Sequence, residues 1–110
     1  MKKSRTPTGQ YADIAGRLRA VREGFFGMKQ KDFAEAAGVS PKSYSQWESG
    51  GFRISIQGAI KLRSAFNISL DFIFTGSLET LPHNMIKAIS DNPLLKISNT
   101  STVSGPDKAV

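Results

Sequence analysis

Two pairs of residues, Ser40-Pro41 and Gly50-Gly51, constrain this chain more than any other feature, because together they fix both ends of a short helix. A serine side chain can accept a hydrogen bond from the unpaired N–H groups that open a helix. Proline is best tolerated at the first helical position, where its missing N–H has no partner to lose. Glycine closes a helix in the left-handed conformation without strain. The helix so bounded, Pro41 to about Ser49, reads PKSYSQWES. At 3.6 residues per turn Tyr44 and Trp47 share one side, with Val39 leading into it. Lys42, Ser45, Gln46 and Ser49 point the other way, with Ser43 at the flank. One side is aromatic and suited to a core. The other is small, hydrogen-bonding and positively charged.

Similar punctuation divides the rest of the chain. From Tyr11, the apolar residues Ile14, Leu18, Val21 and Phe25 recur at spacings of three and four, while Arg17, Arg19, Arg22 and Glu23 fill other faces; Gly24 and Gly27 bracket the stop. A second helix spans about Gln30 to Ala37, with Phe33, Ala34 and Ala37 apolar and Met28 placed as a staple ahead of it. Gly38 is suited to a left-handed cap. Ser55 caps a fourth helix in which Ile56, Ala59, Ile60, Leu62 and Phe66 are apolar, and Asn67 closes it. Ser69 caps a fifth, LDFIF, closed by Gly76, and LPHNMIKAI adds one or two further turns. No segment alternates with period two and no repeat is evident. The expected fold is an all-α domain of five short helices. Residues 1–10 read as a mobile basic arm, 11–76 as the folded domain, 77–90 as a short helical extension and candidate dimer contact, and 91–110 as a disordered polar tail.

Composition removes several classes of function. The chain has 110 residues, enough for one domain and one modest core. There is no cysteine and a single histidine, His83, so neither a disulfide framework nor a zinc site is expected. No serine has a base at a recognisable spacing. The reading is of a non-enzyme that calls for no cofactor and no metal. No apolar run approaches the ~20 residues of a membrane span, and the basic start lacks the apolar stretch of a signal peptide. A soluble cytoplasmic protein is expected. Charge then points to a partner: residues 1–63 hold 12 Lys and Arg against 5 Asp and Glu, whereas residues 64–110 hold 3 against 4. A basic front two-thirds suits a polyanion such as nucleic acid.

Only Gly38, Val39 and Ser40 join the second helix to the third, which forces a sharp change of direction. Two helices crossing steeply with the second offered outward make a helix-turn-helix. Glutamine can pair bidentately with adenine and lysine with guanine in the major groove, while serine hydroxyls bond bases or phosphates.

The segments GRLRAVRE, KQKDFAEAAGVSPKSYSQWESG and ISIQGAIKLRSAFNISLDFIFTG, in that order and spacing, resemble the phage-repressor, or XRE, type of helix-turn-helix domain from about Ala15 to Gly76. The resemblance implies a five-helix domain that binds operator DNA as a dimer with its third helix in the major groove. It implies base contacts at Pro41, Lys42, Ser45 and Gln46, of which Pro41 has no polar side chain. It implies phosphate contacts at Gln30, which also braces the third helix, and at Ser43, Ser49 and Gly50, the last through its backbone. Arg22 and Glu48 match a pair that forms a buried salt bridge between helices one and three. Three features depart from the family pattern. Arg22 to Gln30 is one residue longer than usual, so the turn through GFFG must bulge. Lys29 replaces the customary Ser or Thr cap, against the helix dipole, and is read as either a phosphate contact or a solvated lysine. GGFRIS replaces a more polar loop, with Arg53 expected at a phosphate or the minor groove and Phe52 folded back on the core.

Phe72, Ile73 and Phe74 are more apolar surface than one short helix readily buries. They are expected either to pair two subunits, as the helix-five region commonly does in this family, or to close the core of one chain beneath LPHNMIKAI. The function expected is a sequence-specific transcriptional regulator, a dimeric repressor on double-stranded DNA. The rival from another class is an antitoxin or adaptor that uses the fold for protein binding; an RNA-binding role is the weaker third. The roughly 34 residues after Gly76 are too few for the self-cleaving domain that some such repressors carry. Release from DNA is therefore expected through a small ligand, an antirepressor or other partner protein, or turnover.

Overall fold

The computed structural model describes residues 6–96. Six helices follow one another: α1 (Ala12–Val21), α2 (Gln30–Ala37), α3 (Pro41–Ser49), α4 (Ile56–Phe66), α5 (Leu70–Thr75) and α6 (His83–Ile89). A turn of π-helix (Arg22–Phe26) continues α1, and a 3-10 turn (Pro93–Lys96) ends the described chain. No strand occurs among the described residues, so the domain is all-α as the capping pattern implies.

The caps behave as their chemistry dictates. Ser40, Ser55 and Ser69 each accept from the N–H three residues on, at 2.9–3.1 Å. Gly38 closes α2 at φ 77°, and the Val39 N–H reaches back to the Ala34 carbonyl at 2.9 Å. The extra residue between Arg22 and Gln30 is absorbed where a bulge is expected. The Arg22 carbonyl accepts from Gly27 rather than from the residue before it, which is a π-turn. The π-turn ends at Phe26, whose ring lies 4.8 Å from Phe66; Phe66 itself stacks on Phe33 at 4.1 Å.

One core unites all six helices. Leu18, Val21, Phe33, Tyr44, Leu62, Phe72, Ile73, Met85 and Ile89 are buried within it, each contributing about 1.5–3 kcal/mol where aliphatic or aromatic. Trp47 packs so tightly on α4 that a Cβ at Gly58 would overlap its ring.

Phe72 and Ile73 are 1% and 0% exposed and packed with α1 and α4, in keeping with the core-closing one of their two expected roles; Phe74 is half-buried. Several expectations need correction. The extension folds onto its own chain, with Met85 and Ile89 buried against α1 and the π-turn. The order also runs past residue 91, since the 3-10 turn packs on α1. Residues 97–110 of the expected tail lie outside the described residues. The reverse error occurs on α4. Ile56 and Ile60 are exposed, as is Phe52, which does not fold back on the core. The inward side of α4 is supplied by Gly58, Ala59 and Leu62.

The expected arm divides at Thr6. Lys2, Lys3 and Arg5 lie outside the described residues, but Thr6 to Gln10 form a strap pinned to the end of α3. The Thr8 N–H donates to the Ser49 carbonyl at 3.3 Å, and the Tyr11 N–H to the Gly50 carbonyl at 2.8 Å. Pro7 is buried. The two backbones touch so closely that a Cβ at Gly50 would collide with the Thr8 carbonyl, and one at Gly9 would lie 2.7 Å from the Gly50 carbonyl oxygen. Backbone meets backbone here because both sides are glycine.

Candidate nucleic-acid interface

The outer face of α3 follows from how its inner face is held. Tyr44 is 0% exposed and Trp47 8%, which fixes the rotation of the helix about its axis. Pro41, Lys42 and Ser45 are thereby exposed, and Gln46 and Ser43 are half-buried beside them. Lys42, Ser45, Gln46 and Ser49 share one stripe along the helix, as their spacing requires. Ser43 is part of the cap: its N–H bonds the Ser40 hydroxyl at 3.1 Å. The Ser49 hydroxyl donates to the Gln46 carbonyl at 2.7 Å.

Beneath this face lies a charged brace. Arg22 donates two parallel hydrogen bonds to the Glu48 carboxylate, at 2.7 and 2.9 Å, and a third to the Met28 carbonyl at 2.7 Å. Both residues are buried. Burial alone pulls the guanidinium pKa down, yet the Glu48 carboxylate outweighs it and holds the group above its ordinary range. Gln30 completes the brace, its side-chain amide donating to Glu48 at 3.0 Å. The π-turn belongs to the same arrangement, because Arg22 holds Met28 beyond the turn twice, its carbonyl accepting from the Met28 N–H at 3.1 Å and its guanidinium donating to the Met28 carbonyl. The Tyr44 hydroxyl is also buried here and makes no hydrogen bond. Burial, helped by the Glu48 charge, raises its pKa well above the ordinary phenol value.

The surrounding residues distribute unevenly. Lys29 precedes α2 in extended conformation, exposed and without a capping bond. Gly50 is buried behind the strap, and its carbonyl accepts from the Tyr11 N–H. Arg53 does not reach toward α3's outer face; its guanidinium lies 5.2 Å over the Phe74 ring on α5. His83 opens α6 and is exposed.

Two contributors escaped the sequence reading. Thr6, Pro7 and Thr8 from the strap and Arg19 from α1 join Gln30, Ser45 and Ser49 around an open groove of about 490 Å³ beside α3. Arg19 pairs with Glu23 at 3.2 Å along α1. The sequence did carry a signal for Arg19, since it lies one turn before Arg22 on the same helix flank. The strap had no comparable signal. Among the described residues no His, Cys, Asp or Glu cluster is fit to hold a metal ion, and no helix is long and apolar enough to cross a membrane.

A family model described as helix-turn-helix (HTH_3) matches residues 18–73, from the middle of α1 into α5 and across half of the chain. No curated protein matches the chain, and neither does any solved structure.

Proposed function

The chain belongs to the XRE/lambda-repressor-like helix-turn-helix family, a family of DNA-binding regulators, and we propose that within it the protein is a sequence-specific repressor that binds a duplex operator as a homodimer. The observation that carries this reading is the outer face of α3: Lys42 and Ser45 stand clear, with Gln46 half-buried beside them, on a helix whose rotation is fixed from beneath by two aromatic rings and a buried ion pair. Rigid presentation is what base reading needs, because a hydrogen bond to a base edge discriminates only when the donor is already in place.

In this reading α3 enters the major groove. Lys42 and Gln46 bond base edges, with Ser45 beside them and Pro41 in apolar contact. The groove between the strap, α1 and α3 admits a phosphate backbone, with Arg19, Gln30 and Ser49 in its lining; Lys29 and Ser43 contact phosphates outside it. Gln30 works from below, holding Glu48 and lying within reach of a phosphate. Phosphate contacts supply salt-dependent affinity and base contacts the discrimination.

Selection from random duplexes, followed by titration at several salt concentrations, tests the proposal. Lys42→Ala and Gln46→Ala should each weaken binding by about 1–3 kcal/mol and relax preference at one position, without removing the salt dependence of the remaining contacts. If both variants bind the selected duplex like the parent, the assignment of the reading face is wrong. If no salt-sensitive duplex binding exists at all, the fold serves a protein partner instead.

A further inference from the structure

Arg17 and Arg22 both lie largely out of solvent, and only one of the two charges is fully answered. Arg22 forks onto the Glu48 carboxylate at 2.7 and 2.9 Å. Arg17 donates to the Ile73 carbonyl at 2.9 Å but meets its carboxylate, Asp13, only at 3.5 Å. A charge-assisted bond between guanidinium and carboxylate is ordinarily about 2.7–2.9 Å, so the Asp13 contact is loose. Burial accordingly outweighs the Asp13 charge and pulls the Arg17 pKa below its ordinary value, the reverse of the outcome at Arg22.

The Arg17 guanidinium forms part of the wall of a cavity of about 390 Å³ between α1, α5 and the 3-10 turn, open to solvent on one side. Phe72, Leu78 and Leu95 supply its apolar wall, and Lys96 brings a second cation. Lys96 is exposed and makes no ion pair among the described residues. No acidic side chain lines the cavity among those residues. The guanidinium is also held in place. It is tied to the Ile73 carbonyl, and Gly76 lies so close that a Cβ there would stand 3.1 Å from the guanidinium Nε.

We propose that this cavity binds a small organic monocarboxylate, its carboxylate taken by Arg17 and Lys96 and its apolar body resting on Phe72, Leu78 and Leu95. The volume lies within the ~300–1,000 Å³ of small-molecule sites, which pair apolar walls with a few fixed polar groups. A held guanidinium with donors to spare matches a planar carboxylate. An uncharged apolar ligand would leave both cations unserved, and an inorganic anion would leave the apolar wall unused. One carboxylate suffices, because Asp13 already offsets part of the Arg17 charge. The site is remote from the reading face: Arg17 and Arg19 are about 200° apart around α1, so the cavity and the groove beside α3 lie on nearly opposite sides of that helix. The proposal therefore stands apart from the DNA-binding reading and is tested without DNA.

Phenylacetate is the probe, titrated into the isotope-labelled 110-residue chain and followed by amide shifts, with phenylacetamide and acetate as controls. Phenylacetate should bind with a dissociation constant of about 1 mM or tighter and move the amides of Gly76, Leu78 and Lys96 while leaving Ser45 and Gln46 in place. Phenylacetamide lacks the charge and acetate the apolar body, so each should bind at least about ten-fold more weakly. Arg17→Gln, whose amide can keep the Ile73 bond, should weaken phenylacetate about ten-fold or more. Lys96→Gln, at an exposed position, should weaken it about three-fold with no change in thermal midpoint. The proposal is overturned if either control binds as tightly as phenylacetate, if the shifts map to another surface, or if none saturates below about 10 mM. It is equally overturned if Arg17→Gln, folded, binds like the parent. Should that variant not fold, Lys96→Gln decides, and parent-like binding there overturns the proposal.

Discussion

Helices α3 and α5 are built to the same plan and end with opposite roles. Each opens on a serine whose hydroxyl accepts from the N–H three residues on at 3.1 Å, and each closes on a left-handed glycine, Gly50 at φ 94° and Gly76 at φ 84°. Between those caps α3 turns two aromatic residues inward and four polar ones outward. α5 turns Phe72 and Ile73 inward and keeps Phe74 half-buried beneath the Arg53 guanidinium. Caps decide where a helix starts and stops. What a helix presents depends on how many of its sides the neighbouring elements cover, and α5 is packed between α1 and α4.

The comparison can be broken most forcefully at Phe72. If it serves the core of one chain, Phe72→Ala should cost about 3–5 kcal/mol in denaturant unfolding, with a midpoint independent of protein concentration. A midpoint that rises with concentration in the parent and ceases to do so in the variant would return Phe72 to an interface. Next comes the brace under α3. Glu48→Ala strands the Arg22 charge in a buried site and should also cost about 3–5 kcal/mol. The double replacement Arg22→Met, Glu48→Leu should recover part of that loss, because neither charge is then left alone. Recovery absent in the double variant would mean that the Met28 bond, not the ion pair, carries the energy.

Smaller effects sharpen the contrast between the two sides of α3. Lys42→Ala should leave unfolding within about 0.5 kcal/mol of the parent, as expected of an exposed side chain with no buried partner. Any large destabilisation would show that the outer face is structural. The smallest change expected is at Tyr44. Its hydroxyl is buried without a hydrogen bond, so Tyr44→Phe should be neutral or raise stability by up to about 1 kcal/mol. A clear loss in thermal melting would reveal that the hydroxyl is bonded in solution to Glu48 or Arg22.

Much of this was legible in the sequence, for reasons that differ by region. Serine, proline and glycine act locally, so the ends of α2, α3 and α5 could be placed from a few residues each. Tyr44 and Trp47 gave the rotation of α3 because their spacing leaves one consistent buried side. Arg22 and Glu48 could be paired only through the family resemblance, since nothing local links residues on different helices. The extra residue before Gln30 announced a bulge only against the spacing usual in the family. The failures were non-local. Ile56 and Ile60 obeyed helical periodicity yet face outward, because Gly58, Ala59 and Leu62 already satisfy the contact with Trp47 and the core. Thr6 to Gln10 offered few side chains to bury, and their attachment to α3 is made by backbone, which leaves almost no imprint on residue choice beyond Gly9 and Gly50.

That attachment has a consequence for the order of assembly. The strap comes from the first described residues and the end of α3 from the middle of the chain, so their contact closes a loop through the whole of α1 and α2. Contacts that close long loops give up more chain entropy than local ones and tend to form late in folding. The individual turns of α3 need nothing beyond their own caps, but its seating against the strap waits for both ends of that loop to meet. In the proposed reading, competence to bind an operator is then gained with completion of the fold, and a partly folded chain would carry α3 of the right sequence in the wrong pose.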